Sequence, residues 1–126
     1  MNDSTKNKLT QIQLEVVNKC NYKCPLCKTM EKDWVPRRHI ELDQVKTIVD
    51  PVAGQIRDIA LFGTRGEPLL HNELDKIVLY LKKVTPAKVT ISTNGSLLTP
   101  PRGKKLLEAG LDQVVFAVDG ISQESY

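Results

Sequence analysis

Apolar and polar positions alternate along this chain with two different periods. Residues 12–17, IQLEVV, set Ile12, Leu14 and Val16 two apart, the spacing of a half-buried strand. Residues 39–50, HIELDQVKTIVD, instead carry Leu42, Val45, Ile48 and Val49 at helical spacing, and Pro51 limits how far that helix runs. DIALFG, at 58–63, is a short apolar run closed by Gly63 and reads as a buried strand. Leu74, Ile77, Val78 and Leu81 then fall at i, i+3, i+4 and i+7, with Asn72 placed to cap their helix. AKVTIS, at 87–92, is a third strand running into TNG. Thr99 caps the next expected helix, with Pro100 in its first turn and Gly110 just past its end. QVVFAV, at 113–118, is a fourth strand closed by Asp119-Gly120.

Strand and helix therefore alternate in units of roughly 25–35 residues, which predicts an α/β fold with a parallel sheet and right-handed crossovers. In such folds chemistry collects at the C-terminal ends of the strands. Those four ends here carry a cysteine loop, then GTRGEP, then STNG, then DG. Each is polar or glycine-rich, and each stands where a site would be built.

Composition narrows the picture. The chain has 126 residues, 40% of them hydrophobic and 26% charged, enough for one domain with a core. Its net charge of +3 comes from scattered lysines and arginines, without the basic stripe that nucleic-acid binding calls for. No apolar run approaches the ~20 residues that span a bilayer, and MNDSTKNK has no signal-peptide core. A soluble, cytoplasmic protein is expected, with no membrane partner. Residues 1–10 read as a polar tail and 11–126 as the domain. The sequence finishes at ISQESY, directly after an apolar run, which reads as a cut through a larger domain.

All three cysteines lie within KCNYKCPLCK, as Cys20, Cys24 and Cys27 in a C-x3-C-x2-C array. A disulfide framework wants an even count and a secreted chain. A thioredoxin-like use of Cys24-Pro25-Leu26-Cys27 leaves Cys20 idle. Structural zinc takes four ligands, and His39 and His71 are the candidates of the usual kind for a fourth. An iron–sulfur cubane fits better, because closely spaced thiolates in an irregular loop can each take a different corner. Three thiolates on four irons leave one iron open to a substrate or cofactor. A zinc-binding or electron-transfer α/β module without radical chemistry is the alternative.

C-x3-C-x2-C directly after a first strand resembles the radical S-adenosylmethionine enzymes. The resemblance implies that Cys20, Cys24 and Cys27 ligate a 4Fe–4S cluster whose open iron is chelated by the methionine moiety. Leu26 stands where the family usually has an aromatic, beside the adenine. GTRGEPLL resembles the family's Gly-Gly-Glu-Pro stretch, with Arg65 in place of its first glycine. There Gly66 allows close backbone approach to a ligand, Glu67 offers a carboxylate to an ammonium, and Pro68 stiffens the turn. By resemblance, this stretch holds the methionine amino group. STNGSLLT resembles the segment after strand three, which implies cofactor contacts from Ser92 or Asn94. FAVDGISQESY is similar to the peptide-modifying and sulfatase-maturing branch with SPASM-type C-terminal cluster domains, which tilts the expected substrate toward a peptide or protein, with a molybdenum-cofactor-type or other small molecule as the alternative. Ala117 takes the place of a ribose-side serine there, and Asp119 either contacts the cofactor or caps the turn.

The family core is a partial (β/α)6 barrel, of which four strands are expected here. The activity implied is reductive cleavage of S-adenosylmethionine to a 5′-deoxyadenosyl radical that abstracts hydrogen from a substrate. The electron would come from a flavodoxin- or ferredoxin-like donor. The open barrel edge is expected to favour self-association. His39, His71, Trp34 and the Arg37-Arg38 pair match no motif and are expected to play satisfied or solvated roles.

Overall fold

The computed structural model describes residues 8–25, 27, 36–63 and 65–118. Four parallel strands form one sheet in the order β1-β2-β3-β4, where β1 is Gln11–Gln13, β2 Asp58–Ala60, β3 Lys88–Thr93 and β4 Gln113–Phe116. Helices α1 (Leu42–Val49), α2 (Leu74–Val84) and α3 (Pro100–Glu108) connect them in turn. Sequential order with a helix in every crossover is the arrangement of a barrel wall, as the alternating periods predict.

The register explains which face is covered. Ile12 pairs with Ile59, Ile59 with Val89, and Ile91 with Val114, so one face of the sheet is a continuous apolar row. Ile59, Val89 and Ile91 join one core with Val45 and Val49 of α1, Ile77, Val78 and Leu81 of α2, and Leu106 of α3. Side chains alternate along a strand, so Gln11, Gln13, Asp58, Lys88, Thr90 and Gln113 belong to the opposite face. That face is largely polar.

Several expectations change in detail, and β2 and β4 end at Ala60 and Phe116 rather than at Gly63 and Val118. The first strand ends at Gln13 rather than Val17, because Val16 and Val17 are both buried and the alternation stops there. The chain instead pairs antiparallel with residues 38–40, through Asn18 N–H to Arg38 O at 3.1 Å and Ile40 N–H to Val16 O at 3.0 Å. Ile48 is exposed, and Val45 and Val49 alone are the buried residues of α1. The residue capping α2 is Glu73, not Asn72, and its N–H donates to His71 Nδ1 at 3.1 Å. Thr99 does precede α3, and Gly110 follows it at φ +93°.

Candidate functional site

The first three strand ends are fastened to one another by backbone and buried polar bonds. Gly66 stands against the chain leaving β1: a Cβ there would lie 1.4 Å from Val17 O. No side chain fits that space, so the glycine serves the approach of the protein's own backbone. Beside it, Glu67 N–H donates to Lys19 O at 3.0 Å, and Arg65 N–H donates to Glu15 Oε1 at 2.9 Å. The start of the cysteine loop is thereby held on the GTRGEP turn.

Glu67 ties that turn to β3. It is 3% exposed, and its Oε1 accepts from Leu69 N–H at 3.0 Å and from Thr93 Oγ1 at 2.5 Å. Its Oε2 accepts from Asn94 N–H at 2.9 Å. Oε2 has a second lone pair to offer an ammonium, but most of this carboxylate's capacity is used inside the chain. Pro68 is buried in the first turn of a short 3-10 helix, Pro68–Leu70. Thr93 completes the join by accepting from Gly95 N–H at 3.0 Å. Gly95, at φ +78°, makes the turn out of β3 in the left-handed conformation that glycine adopts without strain.

A second set of bonds joins the cysteine loop to the end of β3. Asn21 Nδ2 donates to Ser96 Oγ at 2.9 Å, and Asn94 Nδ2 donates to Asn21 Oδ1 at 3.0 Å. Asn94 Nδ2 also lies 3.7 Å from Cys20 Sγ, which in addition receives Tyr22 N–H at 3.4 Å. The cysteines are half-buried thiols, none in a disulfide, and a turn closes the loop through Cys27 N–H to Cys24 O at 2.9 Å.

Closely spaced thiolates suit an iron–sulfur cubane, in which each binds a different iron. Three soft thiolates in one partly exposed loop at a strand end fit the cluster.

The expected residues thus meet at one end of the sheet in part. Cys20, Cys24, Cys27, Gly66, Glu67, Pro68, Ser92 and Asn94 lie on the first three strand ends. Ser92 is half-buried on the face opposite Val89 and Ile91. Leu26 and Asp119 lie outside the described residues. Glu15, Asn21 and Thr93 were not anticipated, because a lone polar residue near a motif carries no periodic signal. The two histidines lie elsewhere. His71 is buried, with Nε2 2.7 Å from Ile40 O, and its ring meets His39 edge-on at 5.2 Å. His39 is exposed and sits 2.9 Å from Glu41. Arg37 donates to Leu70 O at 3.1 Å. These are the satisfied roles expected of them.

The comparisons agree with this geometry. A family model described as the radical SAM superfamily matches residues 14–126. Fe-coproporphyrin III synthase of Methanosarcina barkeri is 29% identical over 119 residues, covering 94% of this chain and 29% of that protein. GTP 3′,8-cyclase of Synechococcus is 32% identical over 127 residues, covering 98% of this chain and 36% of that protein. The solved structure of BtrN in complex with AdoMet and 2-DOIA superposes with a TM-score of 0.69 at 27% identity, over 87% of this chain and 46% of that one. The chain spans 29% to 46% of the length of these relatives. Among the described residues no helix is long and apolar enough to cross a membrane.

Proposed function

The chain belongs to the radical SAM superfamily, and from that membership we propose that it carries the cluster- and cofactor-binding part of a radical enzyme. The cofactors of that family are a 4Fe–4S cluster and S-adenosylmethionine. The observation that carries the reading is a thiol-bearing loop bonded to the ends of β2 and β3 through Lys19–Glu67 and Asn21–Asn94–Ser96.

In this reading Cys20, Cys24 and Cys27 hold three irons and leave the fourth open. The methionine amino group is met by the Gly66–Glu67–Pro68 turn and the free lone pair of Glu67 Oε2. Ser92 approaches the cofactor from the polar face of the sheet, and Leu26 and Asp119 are candidates for further cofactor contacts on the family resemblance alone. When bound, the two cofactors supply a one-electron cleavage that yields a 5′-deoxyadenosyl radical. The chain's residues fix the geometry and keep the thiolates on one rim. Residues 11–126 are the N-terminal portion of such a core, and the electron comes from an external one-electron donor.

The substrate reading shifts from the sequence expectation. The named relatives include a GTP cyclase and a synthase of iron-coproporphyrin. Their names favour a small ring-bearing molecule over a peptide or protein.

Anaerobic iron–sulfur reconstitution and low-temperature EPR of the reduced protein, with and without S-adenosylmethionine, test the proposal. About four irons per chain and a cubane signal that shifts with the cofactor are expected, both lost in Cys24→Ala. A colourless protein that binds zinc instead would overturn it.

A further inference from the structure

Asn94 does more than turn the chain. Its Oδ1 accepts from Ser96 N–H at 2.9 Å and from Ser96 Oγ at 2.7 Å. The first of these donors is a backbone amide, so Oδ1 is fixed as the oxygen and Nδ2 as the nitrogen of that side chain. A primary amide offers two lone pairs and two N–H groups. Oδ1 is spent on Ser96, one Nδ2–H goes to Asn21 Oδ1 at 3.0 Å, and Cys20 Sγ lies at 3.7 Å for the other. The backbone is equally fixed, because Asn94 N–H is held by Glu67. Every bonding position of Asn94's side chain is thus used within the chain, and one of them is used on a thiol.

We infer that Asn94 is a positioning residue whose amide N–H is held against Cys20 Sγ to set the reduction potential of the cluster. The inference rests on the cluster reading above. Hydrogen bonds to ligand sulfur stabilise the more negative, reduced state and raise the potential. Tyr22 N–H supplies a backbone donor to the same sulfur that no side-chain substitution removes. The side-chain donor is the adjustable one, and Glu67, Ser96 and Asn21 lock it in place.

Asn94→Asp keeps the oxygen that Ser96 needs while replacing the N–H with an anionic oxygen; Asn94→Ala removes the whole group. Redox titration of the reconstituted full chain, read by EPR with iron content measured in parallel, tests the inference. At a fixed poise, the ratio of reduced to oxidised cluster should fall at least tenfold in Asn94→Asp, about 59 mV for one electron. It should fall roughly threefold in Asn94→Ala, in line with the loss of a weak hydrogen bond. Gly54→Ala, which adds a methyl group where nothing lies within 4 Å and outside the strand-end loops, should match the unaltered protein. A cubane signal whose potential is the same in all four proteins overturns the inference and leaves the cluster reading standing. Loss of iron from both Asn94 variants also overturns it, since a tuning donor is dispensable to ligation by three thiolates. Absence of any cubane signal from the unaltered protein overturns the cluster reading, and this inference with it.

Discussion

At the scale of single residues, the site depends on positions with no room for exchange. Gly66→Ala would drive a methyl group into Val17 O, so a main chain must move; a cost of about 3 kcal/mol or more is expected. Gly54, with nothing within 4 Å of its absent Cβ, is the matched control. Gly54→Ala should be neutral or stabilising by up to about 1 kcal/mol. Urea unfolding of the two variants checks this, and equal midpoints would contradict the close approach at Gly66. Glu67→Gln is the second case. Leu69 N–H and Thr93 Oγ1–H can still bond to the amide oxygen, but the amide NH2 then faces Asn94 N–H, donor against donor. A loss of about 1–3 kcal/mol is expected, read as a lower thermal midpoint; an unchanged midpoint would mean that the β2–β3 join is not held by this carboxylate. Glycine at 66 was legible as a demand for close approach, although what approaches is the protein's own backbone. The use of Thr93 was not legible. In AKVTIST it continues the buried alternation of Val89 and Ile91, so its hydroxyl lies one place from the two residues that resembled a site.

At the scale of elements, the helical periods were legible where an apolar face meets the sheet, and uninformative where bonds are long-range. Leu74, Ile77, Val78 and Leu81 are all buried, as their spacing required. The early end of β1 was not legible, because the partner strand of residues 16–18 is the segment 38–40, and nothing local to IQLEVV encodes that pairing. A similar long-range join closes the far end of the sheet. Asp112 Oδ2 accepts from Lys82 Nζ at the end of α2 and from Val89 N–H at the start of β3, both at 2.8 Å. Burial pushes the Asp112 carboxyl pKa up, but the Lys82 hydrogen bond, the Val89 N–H and the charges of Lys82 and Lys88 together outweigh it and hold it below its ordinary value. A carboxylate whose folded pKa is lowered stabilises the fold above its unfolded pKa, and that contribution disappears as pH falls through the lowered value. The pair is partly solvated, so solvent screening limits its worth to about 1 kcal/mol or less. Asp112→Asn should therefore lower the thermal midpoint near neutral pH and converge with the unaltered protein at acid pH below the ordinary aspartate range. A gap that stays constant with pH would show that the amide fails for a reason other than charge.

At the scale of the whole molecule, the sheet has one face sealed by α1, α2 and α3 and the other polar, which a parallel sheet in water tolerates only if that face has a use. In the proposed reading the strand-end chemistry supplies one, with the cofactor meeting the polar face at its C-terminal rim. This layout was legible in the sequence because four loops with chemical character follow four strands in order. Which edge stays exposed follows from the sheet order instead. Among the described residues β4 is an outer strand, and Val115, Phe116 and Val118 on and just beyond it are 42%, 54% and 67% exposed. An apolar outer strand presents a row of backbone donors and acceptors to any second strand. Sedimentation velocity across a concentration series should accordingly reveal self-association that Val115→Lys combined with Val118→Lys suppresses severalfold, because charge on an edge strand opposes pairing with another copy. A chain that sediments as a monomer at every concentration would remove the edge as an association surface. Association that survives the double substitution would move it to another face.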